Sequence, residues 1–219
     1  MSTIYGEAQR ALQEEFDTVR LADRIEQAII RPFIPDDAKA FIESRDMLFL
    51  TTIDHRGYPT CSYKGGAPGF VRVVDPKTIV FPSYNGNGMF LSMGNIGGNH
   101  KVGLLFINFE TPHRVRVHGD AHIDRNDPLL AEFSGAELLV RVTVQETFIN
   151  CPRYVHKYQR VQTSKYAPQG GCAPPPPPQW KRIDGMQDVL PKRDKDVAEQ
   201  LGGTITFEEY VAAVSKGDG

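Results

Sequence analysis

The sequence predicts a mainly β protein, a half-closed barrel of six or seven strands with flanking helices. Three observations lead there. Seven short apolar or alternating segments crowd into residues 47–149, turn residues separate them, and the helical spacing of apolar residues is confined to the two ends of the chain.

Residues 4–29 place Ala8, Leu12, Phe16, Val19, Ala22, Ile25 and Ile29 at steps of three and four, which predicts one amphipathic helix ended by Pro32 and Pro35. "DDAKAFIESR" predicts a short second helix with Asp36 or Asp37 as its N-cap. The period then changes. "MLFLTTI" (47–53), "YPTCSYK" (58–64), "GFVRVV" (69–74), "TIVF" (78–81), "VGLLFINF" (102–109), "RVRVHGDAHI" (114–123) and "LVRVTVQETFI" (139–149) read as strands. The turn "DHRG", Asp75-Pro76-Lys77 and the Pro112 region link them, and short helical stretches follow Gly88 and occupy "DPLLAEFS". "VGLLFINF" is apolar at nearly every position, as a strand covered on both faces would be. After residue 160 comes a polyproline-type connector, "APQGGCAPPPPPQW". Thr206 and Glu209 then form a capping box ahead of a last helix. The divisions expected are an N-terminal helical segment (1–35), a barrel domain (36–160) and a connector with a helical tail (161–219).

Composition narrows the function. The 25 Lys and Arg against 27 Asp and Glu give no global field for nucleic acid or an anionic membrane, so an anion site must be local. No apolar run approaches the roughly 20 residues of a bilayer span, and the N-terminus has no signal-peptide core, so a cytoplasmic protein is expected. Cys61, Cys151 and Cys172 are scattered and form no CxxC. The six histidines fall in no GxSxG or HExxH pattern. His118 and His122 are too few for a metal site, and no residue presents itself as a catalytic nucleophile or base.

The informative stretch is "FPSYNGNGMFLSMGN" (81–95), a strand that breaks at Pro82, runs through glycines and resumes at helical spacing. A strand opening through glycines onto a helix start leaves several backbone N–H groups unpaired, which suits an anion. If the neighbouring strands lie side by side, Lys64, Arg72 and Arg114 gather round that opening beside Ser83, a donor set fit for a dianionic phosphate.

The order "LTTIDHRGYPTCSYK", "GFVRVVDPKTIVFPSYNGN", "NHKVGLLFINFETPHRVRVHGDAHI" resembles the pyridoxamine 5′-phosphate oxidase-like FMN-binding split-barrel superfamily. It is most similar to a branch of FMN-dependent oxidoreductases in which "GFVRV", "VGLLFIDF" and "NCPRYI" recur. The resemblance implies a homodimer with FMN at its interface. By position, the family's cofactor residues fall on Ser62, Tyr63 and Lys64, and beyond an insertion on Val71 and Arg72. They continue on Pro82 and Ser83, and the family's Ser-Arg-Lys phosphate loop falls on Asn87, Gly88 and Met89. A polar residue near the flavin ring falls on Arg114. The phosphate loop has thus lost both cations, leaving Lys64, Arg72 and main-chain amides to meet the charge. The substrate-binding Arg-x-His corresponds to "FINCPRYVH", where Arg153 and His156 stand one residue too far apart for the vitamin substrate but are the candidates for binding, orienting or protonating another one.

The expectation is therefore an FMN-dependent oxidoreductase acting on an unknown small molecule, with a nicotinamide donor or the substrate itself supplying electrons. The alternative is a non-catalytic flavin, haem or deazaflavin binding protein.

Overall fold

The structure is a computed structural model that describes residue 2, residues 4–168 and residues 175–218. Two compact units divide it, one running to Gln162 and the other holding the described residues from Thr163 onward.

In the first unit the expected single N-terminal helix is two, α1 (Glu7–Glu15) and α2 (Val19–Ile29). The break falls at Asp17, whose φ of 51° is left-handed, a conformation aspartate tolerates because its short polar side chain bonds locally. The apolar spacing runs through this break, so periodicity could not reveal it. Leu12 and Phe16 remain exposed. Helix α3 (Asp36–Glu43) follows, capped by Pro35 rather than by either aspartate, and buries Ala38 and Ile42.

Seven strands form one antiparallel sheet: β1 (Met47–Ile53), β2 (Pro59–Gly65), β3 (Arg72–Asp75), β4 (Thr78–Tyr84), β5 (Lys101–Asn108), β6 (His113–Asp124) and β7 (Ala136–Ile149). Their order is β2-β1-β5-β6-β7-β4-β3, so β2 and β3, adjacent in sequence, are the two free edges. Alternate residues of every strand except β2 meet in one core, including Leu48, Leu50, Val73, Ile79, Phe81, Leu104, Phe106, Val115, Val117, Val140 and Val142. A sheet six of whose seven strands feed one cluster must curl on itself, and this one does so without closing. Near the gap the chain leaving β2 approaches itself closely: a Cβ on Gly66 would lie 2.5 Å from the Phe70 ring, so only glycine fits. Helix α4 (Leu91–Gly98), between β4 and β5, adds Met93 and Ile96 to the same core.

The strand expected to break at Pro82 continues to Tyr84. β3 pairs only as far as Val80, so beyond that point β4 is an edge on one side, where proline's missing N–H costs no ladder bond. On the outward face Val80, Leu139 and Phe133 form a second, small cluster under the 3₁₀ turn Pro128–Glu132. Asp127, 6% exposed, caps that turn through Leu129 N and accepts two bonds from Arg141, at 2.7 and 3.0 Å.

The second unit is built on Ile183, Leu190, Val197 and Ala198, with a parallel bridge between Ile183 and Ile205. A buried Lys181–Asp194 pair at 2.8 Å lies within it. It carries the helices α5 (Val197–Gln200) and α6 (Phe207–Ser215). The capping box is present in both directions: Thr206 Oγ1 accepts from Glu209 N and a Glu209 carboxylate oxygen accepts from Thr206 N. Of the proline run, Ala173 and Pro174 lie outside the described residues, and Pro178 has polyproline-type backbone angles.

The bond from Arg141 holds the Asp127 carboxyl below its ordinary range. A depressed folded-state pKa gives stability that is present above the unfolded value near 4 and fades as pH falls through the folded one. Asp127→Asn should therefore unfold more easily at pH 7, by about 1–2 kcal/mol. The gap to the parent should narrow below about pH 4. Urea titrations at both pH values check this, and a pH-independent gap would exclude the linkage.

Candidate functional site

The two-residue period of the strands decides which side chains share a face. Directly opposed residues of an antiparallel pair point the same way. β1 and β2 pair as Leu48↔Lys64, Leu50↔Ser62 and Thr52↔Thr60. Leu48 and Leu50 are core residues, so Lys64, Ser62 and Thr60 face inward, while Tyr63 and Cys61 face outward beside Phe49 and Thr51. On the other edge Ser83 opposes Leu138, a core residue, and so also faces inward.

Helix α4 crosses this inner face. Its Asn95 reaches Thr52 and Thr60, and its end, Gly98 and Asn99, lines a cleft with Ile53, Asp54 and Gly57. The helix C-terminus thus points to the Ile53–Gly57 end of the β1–β2 hairpin. Its start, Leu91 and Ser92, lies at the other end of the helix, away from that hairpin turn. Ser83 and the loop 85–90 enter the helix from that side. Ser62 and Lys64 on β2 and Ser83 on β4 thus share the inward face, and the loop holding Asn87 and Gly88 leads from β4 into α4.

Three features of these residues suit an anion. The Lys64 ammonium is half-buried, and among the described residues it has no hydrogen-bond or ion-pair partner; burial pushes its pKa below the ordinary lysine value. The Asn87 and Gly88 N–H groups have no acceptor among the described residues, whereas Met89 N is taken by Asn87 Oδ1 at 3.1 Å. Phe90, the residue before α4, is held at φ 49°, a strained setting for a bulky side chain and one that clusters at ligand sites.

Other candidates lie elsewhere. Arg72 opposes Val80, which faces outward, and its guanidinium is ion-paired with Glu132 and stacked 4.4 Å from the Phe133 ring centroid. The expected gathering of Lys64, Arg72 and Arg114 round one opening is therefore corrected: they occupy different faces of the sheet. Val71 is fully buried in the core, and Pro82 is buried on the outward face opposite Leu139. Met89 is exposed. Arg114 lies outward on β6, three strands from Lys64, where its Nη2 donates to Cys151 O at 2.9 Å. Its Nε is buried without a partner, as is Asn150 Oδ1 at the end of β7.

Arg153 and His156 are exposed on the segment after β7, with the Arg153 guanidinium 5.9 Å from the Tyr154 ring centroid. A cleft of about 370 Å³ on the outward side is lined instead by Tyr63, Met47, Ile107, Phe109, Tyr158 and Arg160. The strap 157–160 is tied there by Tyr158 N to Phe109 O at 3.1 Å and by an Arg160–Asp46 ion pair. Burial, and then the Asp46 charge, pushes the Tyr63 phenol up. Nothing in the sequence marked Asp46 or Arg160, which lie 114 positions apart.

With this geometry in place, similarity to known proteins can be stated. The family profile described as pyridoxamine 5′-phosphate oxidase matches residues 34–151, just over half of the chain. The chain belongs to the pyridoxamine 5′-phosphate oxidase family. The matched span contains all of the inward-facing residues above and Arg114. It stops short of Arg153, His156 and the strap. No curated protein sequence matches. Among solved structures, this family member is similar to HupZ from Group A Streptococcus, at 18% identity over 57% of this chain and 99% of that one, TM-score 0.44. A second is an FMN-binding protein from Syntrophomonas wolfei (9%, 65% and 96%, TM-score 0.41). A third, from Clostridium acetobutylicum, is related to general stress protein 26 of the pyridoxinephosphate oxidase family (14%, 52% and 85%, TM-score 0.38). At such values these likenesses carry no argument about ligand or reaction.

The burial of Lys64 has a direct readout. After reductive methylation with ¹³C-formaldehyde, the Lys64 signal, assigned by its absence in Lys64→Arg, should titrate at lower pH than the exposed lysines. Co-titration with them would remove the buried, unpartnered ammonium.

Proposed function

We propose that this protein binds FMN, with the phosphate at the end of β2 where α4 begins, and works as an oxidoreductase on a small molecule, with a nicotinamide nucleotide or the substrate supplying electrons. The observation that carries the reading is Lys64, a half-buried cation without a partner among the described residues, on the same face as Ser62 and Ser83 in a member of this family. The donor set fits a phosphate: one ammonium, two hydroxyls and the free Asn87 and Gly88 amides. The flavin, when bound, supplies the electron chemistry, so the chain's task is to hold and orient it. Arg72 is already neutralised by Glu132 and is left out of the phosphate set.

Arg114 remains the candidate for the flavin ring, since its orphaned Nε can donate to a ring acceptor and the neighbouring Asn150 Oδ1 can accept from a ring N–H. Arg114 and Lys64 stand on opposite faces of one sheet, so a single FMN that meets both takes them from two copies of the chain. That argues for a homodimer, as does the outward face with Tyr63 exposed beside Phe49 and Leu105.

Purified protein should show flavin absorption rather than a haem band. Lys64→Met should weaken FMN binding by about tenfold to a hundredfold, the worth of one charge-assisted hydrogen bond. Riboflavin, lacking the phosphate, should bind as before, and Arg72→Met should change neither. FMN affinity should also fall as pH rises through the depressed Lys64 pKa, because only the ammonium attracts phosphate, and riboflavin affinity should not follow. Equal losses for both flavins would exclude Lys64 as the phosphate ligand.

The dimer has its own test. Light scattering should give twice the chain mass, and mixing Lys64→Met with Arg114→Met chains should restore tight FMN binding at one site per mixed dimer. A flavin-loaded monomer, or no restoration, rules out the shared site.

A further inference from the structure

We infer that Asn95, together with the Thr52–Thr60 pair it grips, is a positioning device that sets how far the start of α4 stands from Lys64 and Ser62, and so sets the site's preference for a phosphate-bearing flavin. The inference rests on the flavin reading above and deepens it.

Thr52 and Thr60 are opposed in the β1–β2 register, and their hydroxyls lie 2.8 Å apart. Asn95 Nδ2 donates to both, at 3.0 Å to Thr52 Oγ1 and 3.2 Å to Thr60 Oγ1. Thr52 is 1% exposed, so the contact is out of water, where an amide's directional preference is felt most. Met93 and Ile96 of α4 make apolar contact and sit in the core. Apolar contact is non-directional and roughly proportional to area, so it presses a helix onto a sheet without fixing its position along its own axis. One amide nitrogen placed between two hydroxyls on adjacent strands does fix it.

The fixed quantity matters because α4 delivers the loop amides. Asn95 lies one helical turn from Leu91, so about 1.5 Å of rise per residue puts the helix start some 6 Å from the anchor, and the loop bearing the Asn87 and Gly88 amides runs into that start. The other half of the site, Ser62 and Lys64, sits on β2 two and four residues beyond Thr60, on the same inward face. Thr60 is thus the common origin from which both halves are measured: along β2 to the ammonium, and along α4 to the amides. The three glycines within this helix, Gly94, Gly97 and Gly98, all have nothing near their missing Cβ, so no side-chain packing there resists a slide. Asn95 does not contact the ligand in this account. It acts through the helix.

Asn95→Leu keeps the volume, removes the donor and leaves Thr52 and Thr60 to bond each other. The parent protein should prefer FMN over riboflavin; the variant should lose about fivefold of that preference, the equivalent of one net hydrogen bond, with riboflavin affinity held. Thr60→Val, milder and at a half-buried position, should give part of the same loss, and the double variant should lose no more than Asn95→Leu alone, because both act through one contact. Amide hydrogen exchange supplies a readout free of flavin: the α4 amides should exchange faster in Asn95→Leu while β5 and β6 stay protected. An unchanged FMN-to-riboflavin ratio, or strictly additive losses, overturns the inference. A parent protein with no preference for FMN instead overturns the flavin reading. Faster α4 exchange in that case would still support the anchor, and unchanged exchange would overturn it too.

Discussion

The pairing of β1 with β2 is the constraint on which the site depends. With Leu48 opposite Lys64 and Thr52 opposite Thr60, the inward face of β2 is polar although its neighbour's is apolar. A slip of one residue would turn Tyr63 and Cys61 inward and send Lys64 to solvent, because side chains alternate with period two. The register is held by what β1 buries, Leu48 and Leu50 at 0% exposure, and by the turn Asp54–Gly57. There Asp54 accepts from the backbone N–H groups of Arg56 and Tyr58 and from the Arg56 guanidinium. Burial of two leucines thus fixes where an ammonium stands.

An edge strand with an inward polar face is tolerable only because the barrel is left open. Closure between β2 and β3 would bury Lys64, Ser62 and Thr60 against apolar residues, at a cost of several kcal/mol for an uncompensated ammonium. The chain instead crosses from β2 to β3 through the tight approach of Gly66 to Phe70, while α4 adds Met93 and Ile96 to the core. The same opening lets Pro82 continue β4, since no strand asks for its N–H on the free side.

The cations divide by their partners. Arg141 answers Asp127, Arg72 answers Glu132, Arg160 answers Asp46 and Lys181 answers Asp194; these pairs hold turns, a strap and the second unit in place. A cation that already has a carboxylate offers a ligand little, because binding must first break the pair. Lys64 has none among the described residues, and it shares the inward face of β2 with the hydroxyls of Thr60 and Ser62. That contrast, more than the number of basic residues near the glycine loop, separates a ligand site from a stabilising network.

The sequence by itself determined the strands, to within a residue or two for β1, β2, β5 and β6, because alternation and turn residues are local properties. It also marked the Thr206–Glu209 cap, the family, and the loop at Asn87 and Gly88. It could not determine which cations share a face. Arg72 and Lys64 are eight positions apart and look equivalent along the chain, yet sit on the two free edges and on opposite faces of the sheet. Nor could it show the break at Asp17, where apolar spacing continues through a left-handed residue, or the meeting of Arg160 with Asp46. Asn95 carries no signal in the sequence, because a polar residue in a short helix looks solvated until the helix is laid across two threonines. Local periodicity settles what each segment is; the curl of the sheet, a sum of many distant contacts, settles which side chains face one another.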